Sequence, residues 1–134
     1  MIGVRNHIVV VDDEPDLAIL FSEALKSAGF ESVSFDDPVA ALQYIMDSHS
    51  KIALLITDWK MPQMNGYELI KEVTKIDESI KVMIMSAYEL ENDKLREINM
   101  NDYLRKPVHI SQLVGAVMNQ YKETLLIKPQ KDGQ

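Results

Sequence analysis

Five polar residues of this 134-residue chain lie at or just after the ends of four short segments with the sequence character of strands, and their types could together perform phosphoryl chemistry. They are the carboxylates Asp12, Asp13 and Asp58, the hydroxyl of Ser86 and the ammonium of Lys106. Carboxylates held close together repel one another and resist ionising together. If the fold brings these residues together, the acidic cluster therefore needs a cation to neutralise it.

The combination of residue types indicates which cation and which reaction would fit. A hard divalent ion such as Mg²⁺ prefers one or two carboxylates together with waters and phosphate oxygens. Lys106 would add a point charge for phosphate oxygens, and Ser86 could donate a hydrogen bond. The set favours phosphoryl transfer to a carboxylate, with the carboxylate as nucleophile and an acyl phosphate as product.

The element that must hold Asp58 is the run Ile52-Ala53-Leu54-Leu55-Ile56-Thr57-Asp58. Five of its first six residues are apolar, which is typical of a strand buried on both faces. Such a strand ends at the carboxyl edge of a parallel sheet, where open α/β sheets have their ligand sites. Asp58 is therefore predicted to lie at the functional edge.

Strands and helices are predicted to alternate five times along the chain. The other strands are expected at residues 7–11, 32–35, 80–85 and 102–104, and the helices at about 15–29, 38–47, 69–76, 89–99 and 110–121, with residues 59–66 as a loop. Buried parallel strands with helical crossovers give a three-layer α/β/α sandwich around a five-stranded sheet. We expect a single domain over residues 1–125, followed by a flexible tail or the start of a linker at 126–134.

Composition excludes several classes of protein. The net charge of −7 argues against direct nucleic-acid binding. No apolar run approaches the roughly 18–20 residues that span a bilayer, and the amino terminus lacks a signal-peptide pattern. The chain has no cysteine, which fits a reducing compartment, so a cytoplasmic location without membrane association is predicted.

The motifs resemble the receiver domain of two-component response regulators, including chemotaxis-regulator-like and single-domain members. The matching pieces are Val-Val-Val-Asp12-Asp13-Glu14-Pro15, Thr57-Asp58 with Met61-Pro62 and Gly66, Ser86-Ala87, and Tyr103 before Lys106-Pro107. They cover about residues 6–122 in the order and spacing of the family. The resemblance implies a flavodoxin-like (βα)5 fold with strand order 2-1-3-4-5.

The resemblance also implies the roles of the site residues. Asp58 would be the phosphoacceptor, and the donor would be a phosphohistidine on a sensor histidine kinase or a histidine phosphotransfer protein. Mg²⁺, with Mn²⁺ as a substitute, would be held by Asp13, Asp58 and the backbone carbonyl of Lys60, with Asp12 acting through water. Lys106 would contact the phosphoryl group.

A conformational switch is implied as well. Ser86 would be drawn toward the phosphoryl group and Tyr103 would swing inward behind it. The surface formed by the fourth helix, fifth strand and fifth helix would change, and it would serve a downstream protein target, a fused output domain or a homodimer. The Lys106–Pro107 bond is a candidate cis peptide.

Lys60 and Tyr88 lie two residues after Asp58 and Ser86, respectively, and flank the predicted path of an attacking water. We hypothesise that their bulk, together with pairing of the lysine with phosphate, slows loss of the phosphoryl group. The opposite effect follows if Lys60 instead orients the water.

Two other functions fit parts of the pattern. A Mg²⁺-dependent phosphatase with an aspartyl nucleophile would need an Asp-x-Asp pair after the first strand, where this chain has Asp12-Asp13-Glu14. A receiver-like interaction module that is not phosphorylated would usually have lost Asp58, Asp13 or Lys106, and all three are present. A phospho-accepting switch that catalyses only its own phosphorylation and dephosphorylation is the leading prediction.

Overall fold

The computed structural model describes residues 5–87 and 102–124. They form one five-stranded parallel sheet in the order β2-β1-β3-β4-β5, which confirms the predicted strand order. The strands are β1 (His7–Val11), β2 (Glu31–Phe35), β3 (Ile52–Asp58), β4 (Lys81–Ser86) and β5 (Asp102–Arg105).

Four helices connect and cover the strands within the described residues. They are α1 (Pro15–Ser27), α2 (Pro38–Ser48), α3 (Gly66–Ile76) and α4 (Ile110–Thr124), and a 3-10 turn at His49–Lys51 precedes β3. The helix α4 corresponds to the fifth helix of the sequence prediction. The predicted fourth helix at 89–99, Tyr88 and the tail at 126–134 lie outside the described residues.

Two apolar layers lie on opposite faces of the sheet, as the alternation of side chains along a strand requires. In β1, Val9 and Val11 face the layer that α2 and α3 cover, and Ile8 and Val10 face the layer that α1 and α4 cover. All four side chains are fully buried. Burying a branched aliphatic side chain contributes roughly 1.5–3 kcal/mol. The three-layer α/β/α sandwich is thus confirmed.

Local signals set where the helices begin. The Asp37 side chain accepts a hydrogen bond from the Val39 amide at 3.0 Å and caps α2. At the start of α3, Asn65 and Glu68 form a reciprocal capping box with both bonds at 2.9 Å. This box fixes the start of α3 next to the loop that follows Asp58.

Of the helices within residues 5–87 and 102–124, none is long and apolar enough to cross a membrane.

Candidate functional site

The carboxyl ends of β1, β3, β4 and β5 bring the predicted polar residues to one open cleft of about 560 Å³. Asp13, Glu14, Asp58, Lys60, Met61, Pro62, Ser86, Ala87 and Lys106 line it. Asp58 is only 6% exposed, because β3 is buried on both faces up to its last residue. The rigid strand therefore presents this carboxylate at the base of the cleft.

Lys106 reaches from the end of β5 across the sheet to two acids. Its Nζ donates to Oδ2 of Asp58 at 3.0 Å and to Oδ2 of Asp12 at 3.2 Å. The lysine side chain is 19% exposed, so these contacts are poorly screened by solvent. One cation thus neutralises part of the charge of two buried carboxylates.

Asp12 has no exposed surface and both of its oxygens have partners. Its Oδ1 accepts a hydrogen bond from the Glu14 amide at 3.0 Å, and its Oδ2 accepts the bond from Lys106. Because each carboxylate oxygen has a second lone pair, these bonds still allow Asp12 to accept a hydrogen bond from a water molecule that an ion in the cleft holds. The arrangement fits the predicted action of Asp12 through water.

The donor set is suited to a hard cation. Carboxylate oxygens of Asp12, Asp13 and Asp58 all lie within 4.8 Å of one another. The acids at the cleft, which are Asp12, Asp13, Glu14 and Asp58, outnumber its two lysines and leave excess negative charge. Carboxylate oxygens are the ligands that Mg²⁺ prefers. The residues present therefore fit the ion that the sequence pattern predicts.

Burial is the largest influence on the Asp58 carboxyl and raises its pKa to about 6. The hydrogen bond from Lys106 lowers this pKa, whereas the charges of Asp12 and Asp13 raise it. Burial lowers the pKa of Lys106, but the hydrogen bonds and charges of Asp58 and Asp12 outweigh burial and raise it. At neutral pH the lysine is therefore charged and Asp58 is mainly ionised.

The structure locates the other predicted residues as follows. Ser86 is 2% exposed and lines the cleft, and Lys60 is exposed on its rim. Tyr103 is partly buried and packs against the layer under α2 and α3. The Lys106–Pro107 peptide is cis, as predicted. The Tyr88 side chain lies outside the described residues, so its predicted role is untested.

Three features of the site were not predicted from the sequence. They are the Glu14 amide bound to Asp12, a hydrogen bond from the Thr57 hydroxyl to the Asp58 carbonyl at 2.8 Å, and the close approach of Gly66 to that same carbonyl. The signals available were a hydroxyl residue before the strand-end acid and a glycine at the start of α3. Neither signal specifies a contact by itself.

The fold and the cleft together define a class: flavodoxin-like α/β domains with an acidic cluster and a lysine at the carboxyl edge of the sheet. The family model described as the response regulator receiver domain matches residues 8–118, and the chain belongs to this family. It is a receiver domain of the kind found in two-component systems, and such domains are phospho-accepting switches.

Individual relatives agree with this assignment. The chain is 32% identical to sporulation initiation phosphotransferase F of Bacillus subtilis over 85% of this chain and 92% of that protein. It is 29% identical to the putative two-component response regulator ARR21 of Arabidopsis thaliana over 82% of this chain, but spans only 18% of that protein. A receiver domain structure from Clostridium thermocellum superposes with a TM-score of 0.79 at 28% identity, covering 88% of this chain and 95% of that one.

Proposed function

We propose that Asp58 is the residue that accepts the phosphoryl group, and that the donor is a phosphohistidine on a sensor histidine kinase or a histidine phosphotransfer protein. The observation that carries this proposal is the 3.0 Å contact between Lys106 Nζ and Asp58 Oδ2 at the base of the open cleft. A buried carboxylate with a cation beside it and open space in front can meet an incoming phosphorus atom.

In the proposed reaction a carboxylate oxygen of Asp58 attacks phosphorus and the P–N bond to the donor histidine breaks. The imidazole nitrogen keeps the electron pair of that bond and takes a proton from solvent. Lys106 would move its hydrogen bond from Asp58 to a phosphoryl oxygen while Asp12 continues to hold it. The hydroxyl group of Ser86 would donate a hydrogen bond to a second phosphoryl oxygen.

Mg²⁺, or Mn²⁺ in its place, would be held by Asp13, Asp58 and the backbone carbonyl of Lys60, with Asp12 acting through water. When bound, the ion supplies positive charge against the negative charge on the phosphoryl oxygens. The three clustered carboxylates support this assignment, since Lys106 alone leaves them with excess charge.

The test is incubation with Mg²⁺ and a small donor, acetyl phosphate or phosphoramidate, followed by intact-protein mass spectrometry. We expect one phosphoryl adduct on the wild type and none on Asp58→Asn. Asp47→Asn is the matched control, because this acid is exposed near the end of α2, away from the cleft, and should be modified normally. An adduct that survives Asp58→Asn would contradict the proposal. A wild type that neither donor modifies would favour an interaction module that is not phosphorylated.

The switch is proposed to couple Ser86 to Tyr103. Ser86 lines the cleft and Tyr103 is only partly buried, and these two positions support the proposal. The surface around β5 and α4, with the segment at 89–99, would then contact a downstream protein, a fused output domain or a second copy of the chain. Identical rotamers of Ser86 and Tyr103 in crystal structures with and without a phosphoryl mimic would contradict this coupling.

The phosphoryl group is proposed to be lost at a rate set partly by Lys60 and Tyr88. The exposed position of Lys60 on the rim of the cleft supports this proposal. Faster dephosphorylation is expected in Lys60→Ala and in Tyr88→Ala. Unchanged or slower decay in both variants would exclude the hypothesis.

The remaining assignments are also proposals. The receiver domain would comprise residues 1–125, with 126–134 as a tail or linker, and the family match over residues 8–118 supports these limits. The protein would act in the cytoplasm without binding nucleic acid or membrane, and it would catalyse no reaction beyond its own phosphorylation and dephosphorylation. The net charge of −7 supports the absence of nucleic-acid binding.

A further inference from the structure

Gly66, the first residue of α3, lies unusually close to the main chain of Asp58. A Cβ atom at this position would lie 2.5 Å from the Asp58 carbonyl oxygen and 3.0 Å from Cα of Trp59. Among the described residues the only glycine with positive φ is Gly29, so the backbone conformation of Gly66 does not itself require glycine. What requires glycine at position 66 is the space, and the neighbours are backbone atoms that cannot rotate away.

The same carbonyl oxygen of Asp58 is held from a second direction. The hydroxyl of Thr57, which has no exposed surface, donates to it at 2.8 Å. The next residue is also fixed, because the Trp59 amide donates to the Met85 carbonyl at 2.9 Å and the Gly66 amide donates to the Trp59 carbonyl at 2.7 Å. The backbone of the predicted phosphoacceptor is therefore held by contacts with β4 and α3.

The helix that carries Gly66 cannot easily move back to make room. Its first turn is fixed by the capping box between Asn65 and Glu68. Its apolar face is anchored by Leu69, Ile70 and Val73, whose side chains are fully buried. A side chain at position 66 would therefore force the main chain at Asp58 and Trp59 apart from the start of α3, and both are held in place.

We propose that Gly66 and Thr57 are positioning residues for phosphorylation of Asp58, an inference that rests on the proposed function. By fixing the carbonyl of Asp58 they set the direction in which its carboxylate leaves the strand. That direction determines the distance to Lys106 and the approach of the carboxylate oxygen to phosphorus. The two residues touch neither the phosphoryl donor nor the cation, and they act only through the main chain of the acceptor.

The expected effect follows from the size of the overlap. To restore an ordinary contact of about 3.4 Å, the backbone near Asp58 and the start of α3 must separate by nearly 1 Å in Gly66→Ala, and any part of this shift taken up at Asp58 misplaces its carboxylate. A misplacement of about 1 Å can cost on the order of 100-fold in rate. Loss of one buried hydrogen bond in Thr57→Val should cost roughly tenfold, whereas Thr57→Ser keeps the hydroxyl and should restore the rate.

Gly115 provides a matched control. It lies within α4, and a Cβ atom there would meet nothing within 4 Å. The Gly115→Ala variant makes the same chemical change in a helix without touching the site. We expect it to be phosphorylated at the wild-type rate.

The experiment measures the rate of phosphorylation by acetyl phosphate as a function of donor concentration, at saturating Mg²⁺, together with amide NMR spectra of the metal-free proteins. We expect Gly66→Ala and Thr57→Val to lower the saturating rate, and we expect the Asp58 and Trp59 amide signals to move in the metal-free state. Both measurements should be unchanged in Gly115→Ala.

Full saturating rates in folded Gly66→Ala and Thr57→Val, with unmoved Asp58 and Trp59 signals, would overturn the inference and leave the proposed function intact. If Gly66→Ala does not fold, the test is the comparison of Thr57→Val with Thr57→Ser. Equal phosphorylation rates in Thr57→Val and Thr57→Ser would overturn the inference. Failure of wild type and Gly115→Ala to be phosphorylated at all would instead contradict the proposed function.

Discussion

The charge balance differs between the two ends of the strands, which form the carboxyl edge and the amino edge of the sheet. At the carboxyl edge, Asp12, Asp13 and Asp58 surround one lysine, and the pKa of Asp58 is raised to about 6. At the amino edge, a single carboxylate, that of Asp77, lies between two basic side chains.

Asp77 is the acid of the amino-edge cluster, and its Oδ2 lies 2.9 Å from the Arg5 guanidinium and 2.8 Å from His49 Nδ1. Its other oxygen accepts a bond from the Ser79 amide at 3.0 Å. Burial is the largest single influence and raises the pKa of Asp77, but the bonds from His49, Ser79 and Arg5 together outweigh burial and lower it to about 2.

The comparison indicates that Asp77 stabilises the fold as a carboxylate and that Asp58 does not. An acid whose pKa is lowered is more stable as a carboxylate in the folded state than in the unfolded chain, so it stabilises the protein at neutral pH. An acid whose pKa is raised by burial does the reverse. The carboxyl edge therefore retains a charge imbalance that a cation can relieve, whereas the amino edge is already neutralised.

Adding Mg²⁺ should give the largest change in the free energy of unfolding, because the acids clustered at the carboxyl edge outnumber the lysines beside them, whereas Asp77 is already paired. At a concentration 100-fold above its dissociation constant, a ligand specific for the folded state stabilises it by about 2.7 kcal/mol. We expect the free energy of unfolding, measured with urea, to increase by this amount in the wild type and in Asp77→Asn. Asp58→Asn should respond much less, and an equal response of Asp58→Asn would place the ion elsewhere.

Asp77→Asn should destabilise the fold by about 1–2 kcal/mol at pH 7, because Arg5 loses its counter-charge and the hydrogen bonds from His49 and Ser79 lose a charged acceptor. Since the pKa of Asp77 falls from 3.8 to about 2 on folding, its contribution is present above about pH 4 and is lost as the pH falls toward 2. Urea unfolding between pH 7 and pH 3 should therefore show the difference from wild type narrowing below pH 4. If the difference in the free energy of unfolding between wild type and Asp77→Asn stays constant from pH 7 to pH 3, the ionisation of Asp77 is not its cause.

Asp58→Asn should change stability in the opposite direction, with a gain on the order of 1 kcal/mol in metal-free buffer at pH 7. The substitution removes a buried carboxylate whose pKa is raised, and the amide that replaces it has an oxygen that can accept a hydrogen bond from Lys106. Urea unfolding in the presence of EDTA measures the gain, with Asp47→Asn as the control. A loss of stability would mean that the bond to Lys106 outweighs burial and repulsion.

The smallest effect is expected for an ion pair that belongs to neither edge. Lys75 and Glu72 lie three residues apart on α3, with 3.3 Å between Nζ and Oε2, and both side chains are well exposed. Solvent screening limits such a pair to less than about 0.5 kcal/mol. Lys75→Ala should change the free energy of unfolding by less than this amount. A larger loss of stability would show that solvent exposure does not limit the strength of this ion pair.

Much of the fold could be predicted because the strands at the centre of the sheet are short, continuous apolar runs. β1 and β3 were predicted with the boundaries that the structure has. The strand β2 begins one residue earlier than predicted, at the exposed Glu31, because an edge strand needs no apolar residue there. The 3-10 turn at His49–Lys51 was missed, since three polar residues carry no periodicity.

The residues of the candidate site could be located because strand ends in a parallel sheet share one edge. The contacts between them could not be predicted. That Lys106 binds two acids, and that one oxygen of Asp12 is occupied by the Glu14 amide, depends on side-chain geometry. The amino-edge cluster was missed as a unit because His49 and Asp77 are 28 residues apart and follow no ligand spacing.

The position of Lys106 also affects how the protein is made. Its two ion pairs join residues 94 and 48 positions apart in sequence, so the last strand supplies the charge that the first and third strands need. During synthesis the amino-terminal part of a chain emerges first. A nascent chain that ends before residue 106 therefore lacks the cation of the cleft, even where β1 and β3 have already formed. Synthesis beyond residue 106 is thus a condition for assembling the site, and a product truncated before Lys106 would carry buried acids without this partner, which oppose its folding.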